Sequence, residues 1–168
     1  MASNAHHHHH HSAAGAERAG AHPSLNTVAL SATLHCLTGC AIGEIAGMVI
    51  GTALGWGNFA TVALAVALAF ASGYALTMLP LLRAGLDTKQ VMRLALASDT
   101  VSIGIMEVVD NAIMLVIPGA MDANLTELKF WASLGVALVI AGMAVYPANR
   151  WLIARGKGHA VVHAHHGH

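Results

Sequence analysis

The sequence predicts an all-α integral membrane protein folded as one bundle of four transmembrane helices. Of 168 residues, 56% are hydrophobic and only 10% charged, and the mean hydropathy is +0.62, whereas roughly a quarter of the residues in a soluble domain are charged. Four segments each hold the about 20 apolar residues that span a hydrocarbon core of about 30 Å. Short connections between them make sequence neighbours antiparallel, which closes a compact bundle. The opening "MASNAHHHHHHSAAG" reads as an expression tag and linker over residues 1–15. A polar segment, 16–25, precedes the four-helix domain, 26–155, and a His-rich tail, 156–168, is expected to be disordered. The first apolar run is too long for the h-region of a cleavable signal and lacks a small-residue cleavage site, so it is expected to stay in the membrane.

The first helix runs from about Thr27 to Leu54 and stops at "GWGN", whose glycines supply a C-cap and whose Asn58 supplies the next N-cap. The second runs from about Phe59 to Leu82 and ends at "RAG". The third, from about Lys89 to Ile117, opens on Asp87 as N-cap with Gln90 three residues on, and is stopped by Pro118 and Gly119. The fourth follows "DANLTE", where Asn124 and Glu127 repeat the cap pattern, and continues to about Ala154. Within it Pro147 frees a carbonyl for Asn149 or water to satisfy. Arg83, Lys89 and Arg93 cluster around the second connection and Arg150, Arg155 and Lys157 after the last helix, while Lys129 is the sole cation near the other two connections. The positive-inside rule then puts both termini in the cytoplasm. Trp56, Phe59, Phe130, Trp131, Tyr146 and Trp151 fall near helix ends and read as an interfacial aromatic belt.

A formal net charge of zero leaves no electrostatic footprint for nucleic acid, and the lipid bilayer is the expected partner. Two cysteines four residues apart make no disulfide framework. A bond between them along a helix is strained, because their Cβ vectors run parallel. They therefore need a local explanation.

That explanation starts from "HCLTGCAIGEIAGM", His35 to Met48. Positions four apart share a helix face, so Cys36, Cys40 and Glu44 form one stripe that Met48 extends. Gly43 and Gly47 lie beside it and let another backbone come close. The stripe should face the bundle interior, with His35 on a neighbouring face. A cysteine in such a helix is by itself a small hydrophobe. Joined by an imidazole, a carboxylate and a thioether, the pair becomes a ligand set for a soft cation such as Cu(I), or for Zn(II).

The third helix supplies acid. "ASDTVSIGIMEVVDNAIM" places Asp99, Glu107 and Asp110 in an apolar segment with no Lys or Arg between Arg93 and Lys129, and an intramembrane carboxylate points to function. Asp99 and Asp110 return to one angle with Met106 between them; Glu107 lies one strip over, flanked by Met114, with Ser102 and Asn111 nearby. Because the first and third helices run in the same direction, Cys36 should lie level with Asp99, and Glu44 with Glu107. The acids either glue helices as neutral hydrogen-bonding groups or hold a cation, with soft and hard ligands as successive stations for a moving ion. The second helix adds Tyr74, Thr77 and Met78, of which Tyr74 and Met78 share a face that either completes the site or simply packs. His159, His163, His165, His166 and His168 form a metal-gathering tract in the tail.

Four stretches, "HCLTGCAIGEIAGM", "GYALTMLPLLRAGL", "LALASDTVSIGIMEVVDN" and "YPANRWLIARGKGHAVVH", carry a resemblance over about Leu34 to His163. The chain is similar to the small bacterial membrane proteins catalogued as domain-of-unknown-function family 4396. The resemblance implies a four-helix protein of the bacterial inner membrane and marks His35, Cys36, Cys40, Glu44, Asp99, Glu107, Asp110 and Asn111 as motif positions. It implies no activity. The residues themselves lead to a protein that binds, and moves or delivers, a transition-metal cation, Cu(I) before Zn(II). Its ligands and acids are drawn from His35, Cys36, Cys40, Glu44, Met48, Asp99, Met106, Glu107 and Asp110. A homo-oligomer is expected, with the glycine-rich first helix as one contact. The rivals are a membrane thiol oxidoreductase using Cys36 and Cys40, a haem-binding bundle with His35 as axial ligand, and an assembly protein whose acids are neutral.

Overall fold

The computed structural model describes residues 24–155. The tag, most of the polar segment and the tail with its five histidines lie outside the described residues. Four helices follow in order: α1 (Leu25–Ala53), α2 (Asn58–Arg83), α3 (Thr88–Val116) and α4 (Leu128–Ala154). Their ends fall within two residues of the expected ones, and the described residues contain no strand. α1, α2 and α4 are long and apolar enough to cross a membrane. α3 matches them in length with 29 residues, but its three acids reduce its apolar content. It is built inside out: Ser98, Asp99, Ser102, Glu107 and Asp110 are buried, while Val101, Val108, Leu115 and Val116 are exposed.

The helix ends follow capping chemistry. α1 closes on Gly55 at φ 67°, with Gly55 N–H donating to Thr52 O at 3.1 Å and Trp56 N–H to Gly51 O at 2.9 Å, the paired bonds of a Schellman motif. α2 closes the same way on Gly85, at φ 82°. Asp87 caps α3, accepting from the backbone N–H groups of Lys89 and Gln90 at 3.0 and 3.3 Å.

Two expected caps are corrected. Gly57 occupies the N-cap of α2. Asn58 lies one residue inside, and its amide donates to Met121 O at 3.2 Å and Asp122 Oδ1 at 3.4 Å, because the facing loop offers acceptors that its own helix end does not. At α4 the N-cap is Glu127 rather than Asn124. Its carboxylate accepts from Asn124 N and Nδ2 at 3.2 and 2.9 Å, which holds that carboxyl below the usual glutamate range.

The helices form a four-cornered bundle with antiparallel neighbours. α1 and α2 are zipped by small residues: Gly39, Gly43, Gly47 and Gly51 meet Gly73, Ala69, Ala65 and Thr61 in antiparallel register. A Cβ on Gly43 would stand 2.2 Å from the backbone nitrogen of Ala69. The glycine stripe is thus covered inside the bundle by α2. Ile103 of α3 fills the notch left by Gly73, and Leu37 reaches toward Gly142 of α4. α1 and α3 stand at diagonal corners and run parallel, as expected from the count of helices between them.

The expected aromatic belt holds in part. Phe59, Trp131 and Trp151 are exposed, but Phe130 is buried against Met114 and Leu134, and Tyr146 packs half-buried beside Ala29 and Ile153. Position near a helix end does not fix which way a ring points; helix phase does.

Asn149 does not serve the carbonyl freed by Pro147. Its Nδ2 donates to Thr33 Oγ1 at 3.0 Å, its Oδ1 accepts from Ser102 Oγ, and Thr33 donates on to Ala29 O at 2.9 Å. One buried amide thereby ties α4 to α1 and α3. Asn149→Leu leaves both partners short of a bond and is expected to destabilise the fold by about 1–3 kcal/mol. Thermal unfolding in detergent reads the difference, and an unchanged midpoint would show that the tie is dispensable.

Candidate functional site

The diagonal pair α1 and α3 brings the chemically active side chains to the bundle axis. On α1 the i, i+4 stripe Cys36, Cys40 and Glu44 is turned fully inward, at 2%, 0% and 2% exposure. On α3 Asp99, Met106, Glu107 and Asp110 are likewise buried. Cys36, Cys40 and Met106 share one cluster with Ile103, Ala69, Ala141 and Val145. Two thiols and a thioether thus sit together in an otherwise aliphatic core.

The level shared by Cys36 and Asp99, expected from helix counting, is present: the two are close enough to interact electrostatically. Asp99 Oδ1 accepts from Ser98 Oγ at 2.9 Å, and Thr77 and His35 also act on its carboxyl. His35 is half-buried, with its Nε2 3.1 Å from Thr77 Oγ1. The imidazole therefore faces α2 and Asp99.

One turn further along α1, Cys40 neighbours Glu44 and Glu107. Glu44 in turn interacts with both Glu107 and Asp110. These three carboxyls are the polar oddity of the molecule. Both carboxyl oxygens of Glu44, both of Glu107 and Oδ1 of Asp110 are buried without a hydrogen-bond partner in the protein. Arg83, Lys89, Arg93, Lys129, Arg150 and Arg155 are all exposed, toward the helix ends or in connections, so no Lys or Arg among the described residues reaches the trio. Burying such a group without a partner costs about 1–3 kcal/mol, and more when it is charged. The trio must carry protons or meet a cation.

A family model described as Domain of unknown function (DUF4396) matches residues 26–158. The chain belongs to this family. The matched span takes in all four helices and the whole run from His35 to Asp110. No curated protein and no solved structure matches the chain.

Other residues expected at the site are distributed differently. Met48 leaves the thiols and joins Met114, Met121 and Phe130 at the far end of the bundle. Asn111 turns back on its own helix, its Nδ2 donating to Glu107 O at 2.9 Å. Ser102 belongs to the Asn149 tie. On α2 the Tyr74 and Met78 face is not the one that reaches the acids: Tyr74 OH bonds Thr100 Oγ1 at 2.9 Å, and Met78 packs with Leu81 and Val91. Thr77 takes that place. Apolar α2 offers no sequence contrast to fix its phase, and Thr77 becomes legible only through the glycine ladder, since Thr61, Ala65, Ala69, Gly73 and Thr77 are one buried i, i+4 row.

The thiols and acids form a run along the axis and not a single cage, and among the described residues no three His, Cys, Asp or Glu side chains are set to hold one metal ion. From Cys36 to Glu44 the run covers eight residues of helix, or about 12 Å. The donor set suits a soft cation at the thiol and thioether end and a proton or hard cation at the carboxyl end.

Proposed function

We propose that this chain is a four-span protein of the bacterial inner membrane, both termini cytoplasmic, that binds and moves a transition-metal cation, Cu(I) before Zn(II). The observation that carries the reading is the contiguity of Cys36, Cys40 and Met106 with three buried carboxyls that face one another and meet no Lys or Arg among the described residues. The inside-out α3 supports a fourth span: apolar Val108 and Leu115 face outward at 72% and 71% exposure while the acids face in. The exposed cations Arg83, Lys89, Arg93, Arg150 and Arg155 gather at the end of the bundle that carries the α2–α3 connection, the start of α1 and the end of α4, in keeping with a cytoplasmic end.

In this reading the soft donors Cys36, Cys40 and Met106 hold the ion, and Glu44, Glu107 and Asp110 exchange protons with it. A thiol or carboxyl sheds its proton to ligate a metal, so each arriving cation releases protons, and the acids offer them a chain of acceptors in a core that excludes bulk water. His35, Thr77 and Asp99 provide the polar station at the cytoplasmic side. Membrane thiol oxidation is the weaker reading, because both cysteines are free thiols buried beyond the reach of a partner protein.

Metal analysis of tag-free protein purified under reducing conditions tests the proposal. After equal exposure to Cu(I), wild type is expected to retain at least one more equivalent of metal than Cys36→Ser/Cys40→Ser. Equal retention by the two proteins rejects thiolate coordination.

A further inference from the structure

We infer that the half-open cavity where the α1–α2 and α3–α4 connections meet is a second metal site, a capture site for a soft monovalent cation held by the thioethers of Met48, Met114 and Met121. The inference rests on the reading of the thiol and acid run as a cation path and adds the mouth of that path. The cavity measures about 350 Å³ and is lined by all three methionines together with Trp56, Asn58 and Asp122. The methionines come from α1, α3 and the loop after α3, so three separate elements converge on one space.

The position of the cavity relative to the acids gives it a role. Met48 follows Glu44 by one helical turn and Met114 follows Asp110 by one turn. The floor of the cavity is therefore one turn above the carboxyls of Glu44 and Asp110, three of whose four oxygens are buried without a hydrogen-bond partner. Met114 is 2% exposed and sits deepest, while Met48 and Met121 are half-buried. Asn58 fixes the roof, its amide donating to the backbone carbonyl of Met121 and to Asp122, so that Met121 is held over the opening. The burial of the methionines also has an ordinary part, since they pack against Phe130 and Leu134; the cavity between them is what packing alone leaves unexplained.

Thioethers suit this place chemically. A thioether has no proton to lose and no charge, so it binds Cu(I) or Ag(I) without competition from acid and discriminates against Zn(II) and Mg(II). A cation arriving at the methionines then meets carboxyls and, beyond them, thiols, so neutral donors give way to groups that can carry negative charge.

Ag(I), which does not change oxidation state here, is the probe. The measurement uses tag-free full-length protein in the Cys36→Ser/Cys40→Ser background at about pH 4.5, where imidazoles hold their protons and carboxyls are poor ligands for silver. Silver is expected to bind with a change in tryptophan fluorescence that Trp56→Phe removes. Met48→Leu/Met114→Leu/Met121→Leu, which conserves volume, is expected to weaken binding at least tenfold while its thermal unfolding stays near that of the background. Equal silver affinity with and without the methionines overturns the inference. The two proposals fail separately: with all three methionines replaced, Cu(I) retained equally with and without the cysteines rejects the thiolate reading and leaves this site standing, whereas Cu(I) lost with the cysteines in that protein, together with silver bound equally with and without the methionines, does the opposite.

Discussion

Gly43→Ala is expected to destabilise the bundle by about 3 kcal/mol, the upper range for overpacking a tight core. The added Cβ would lie 2.2–2.3 Å from Ala69 N, Ala69 Cα and Leu68 C. All three are backbone atoms of α2, so no side-chain rotation relieves the clash and the whole helix must move. Moving α2 away also separates Gly39 from Gly73 and Gly47 from Ala65, which pack in the same row. It further draws Thr77 away from His35. Gly104→Ala and Gly135→Ala are the controls. Nothing lies within 4 Å of a Cβ at either position, and removing a helical glycine is worth about 0.5–1 kcal/mol of stabilisation. Thermal unfolding of the three variants in one detergent should therefore give one large loss and two small gains. A Gly43→Ala midpoint close to wild type would refute the backbone-to-backbone packing of α1 on α2.

Replacing the acids is expected to move stability and binding in opposite directions. In Glu44→Gln/Glu107→Gln/Asp110→Asn each carboxyl becomes an amide of the same shape that brings its own donors to oxygens now without partners. The charged form no longer has to be buried, so the fold should gain about 1 kcal/mol or more. Retention of Cu(I) at neutral pH should fall at least tenfold, because the groups that neutralise the ion and take up its protons are gone. Acids that merely glue helices would give the reverse pattern: lower stability and unchanged metal retention. Measuring both quantities on one preparation separates a functional cluster from a structural one. If stability drops and metal stays, the carboxyls have no part in cation handling.

Local sequence suffices for the helices and their ends. Apolar length, the glycines of "GWGN" and "RAG", and Asp87 before α3 are local properties that act through backbone geometry and water, and they need no partner to be read. It also determined the relative depth of the polar groups: the rise per residue is fixed and short loops make the helices alternate, so Cys36 meets Asp99 and Glu44 meets Glu107 as counting requires. Rotation about the helix axes came from packing. Which face of α2 reaches the acids, whether Met48 joins the thiols or a methionine-lined cavity, and whether Asn149 turns to a carbonyl or to Ser102 and Thr33 all depend on helix phase. In a chain this apolar, polar contrast around α2 is too weak to set that phase. It is set by shape, through the glycines of α1 that allow α2 only one close fit.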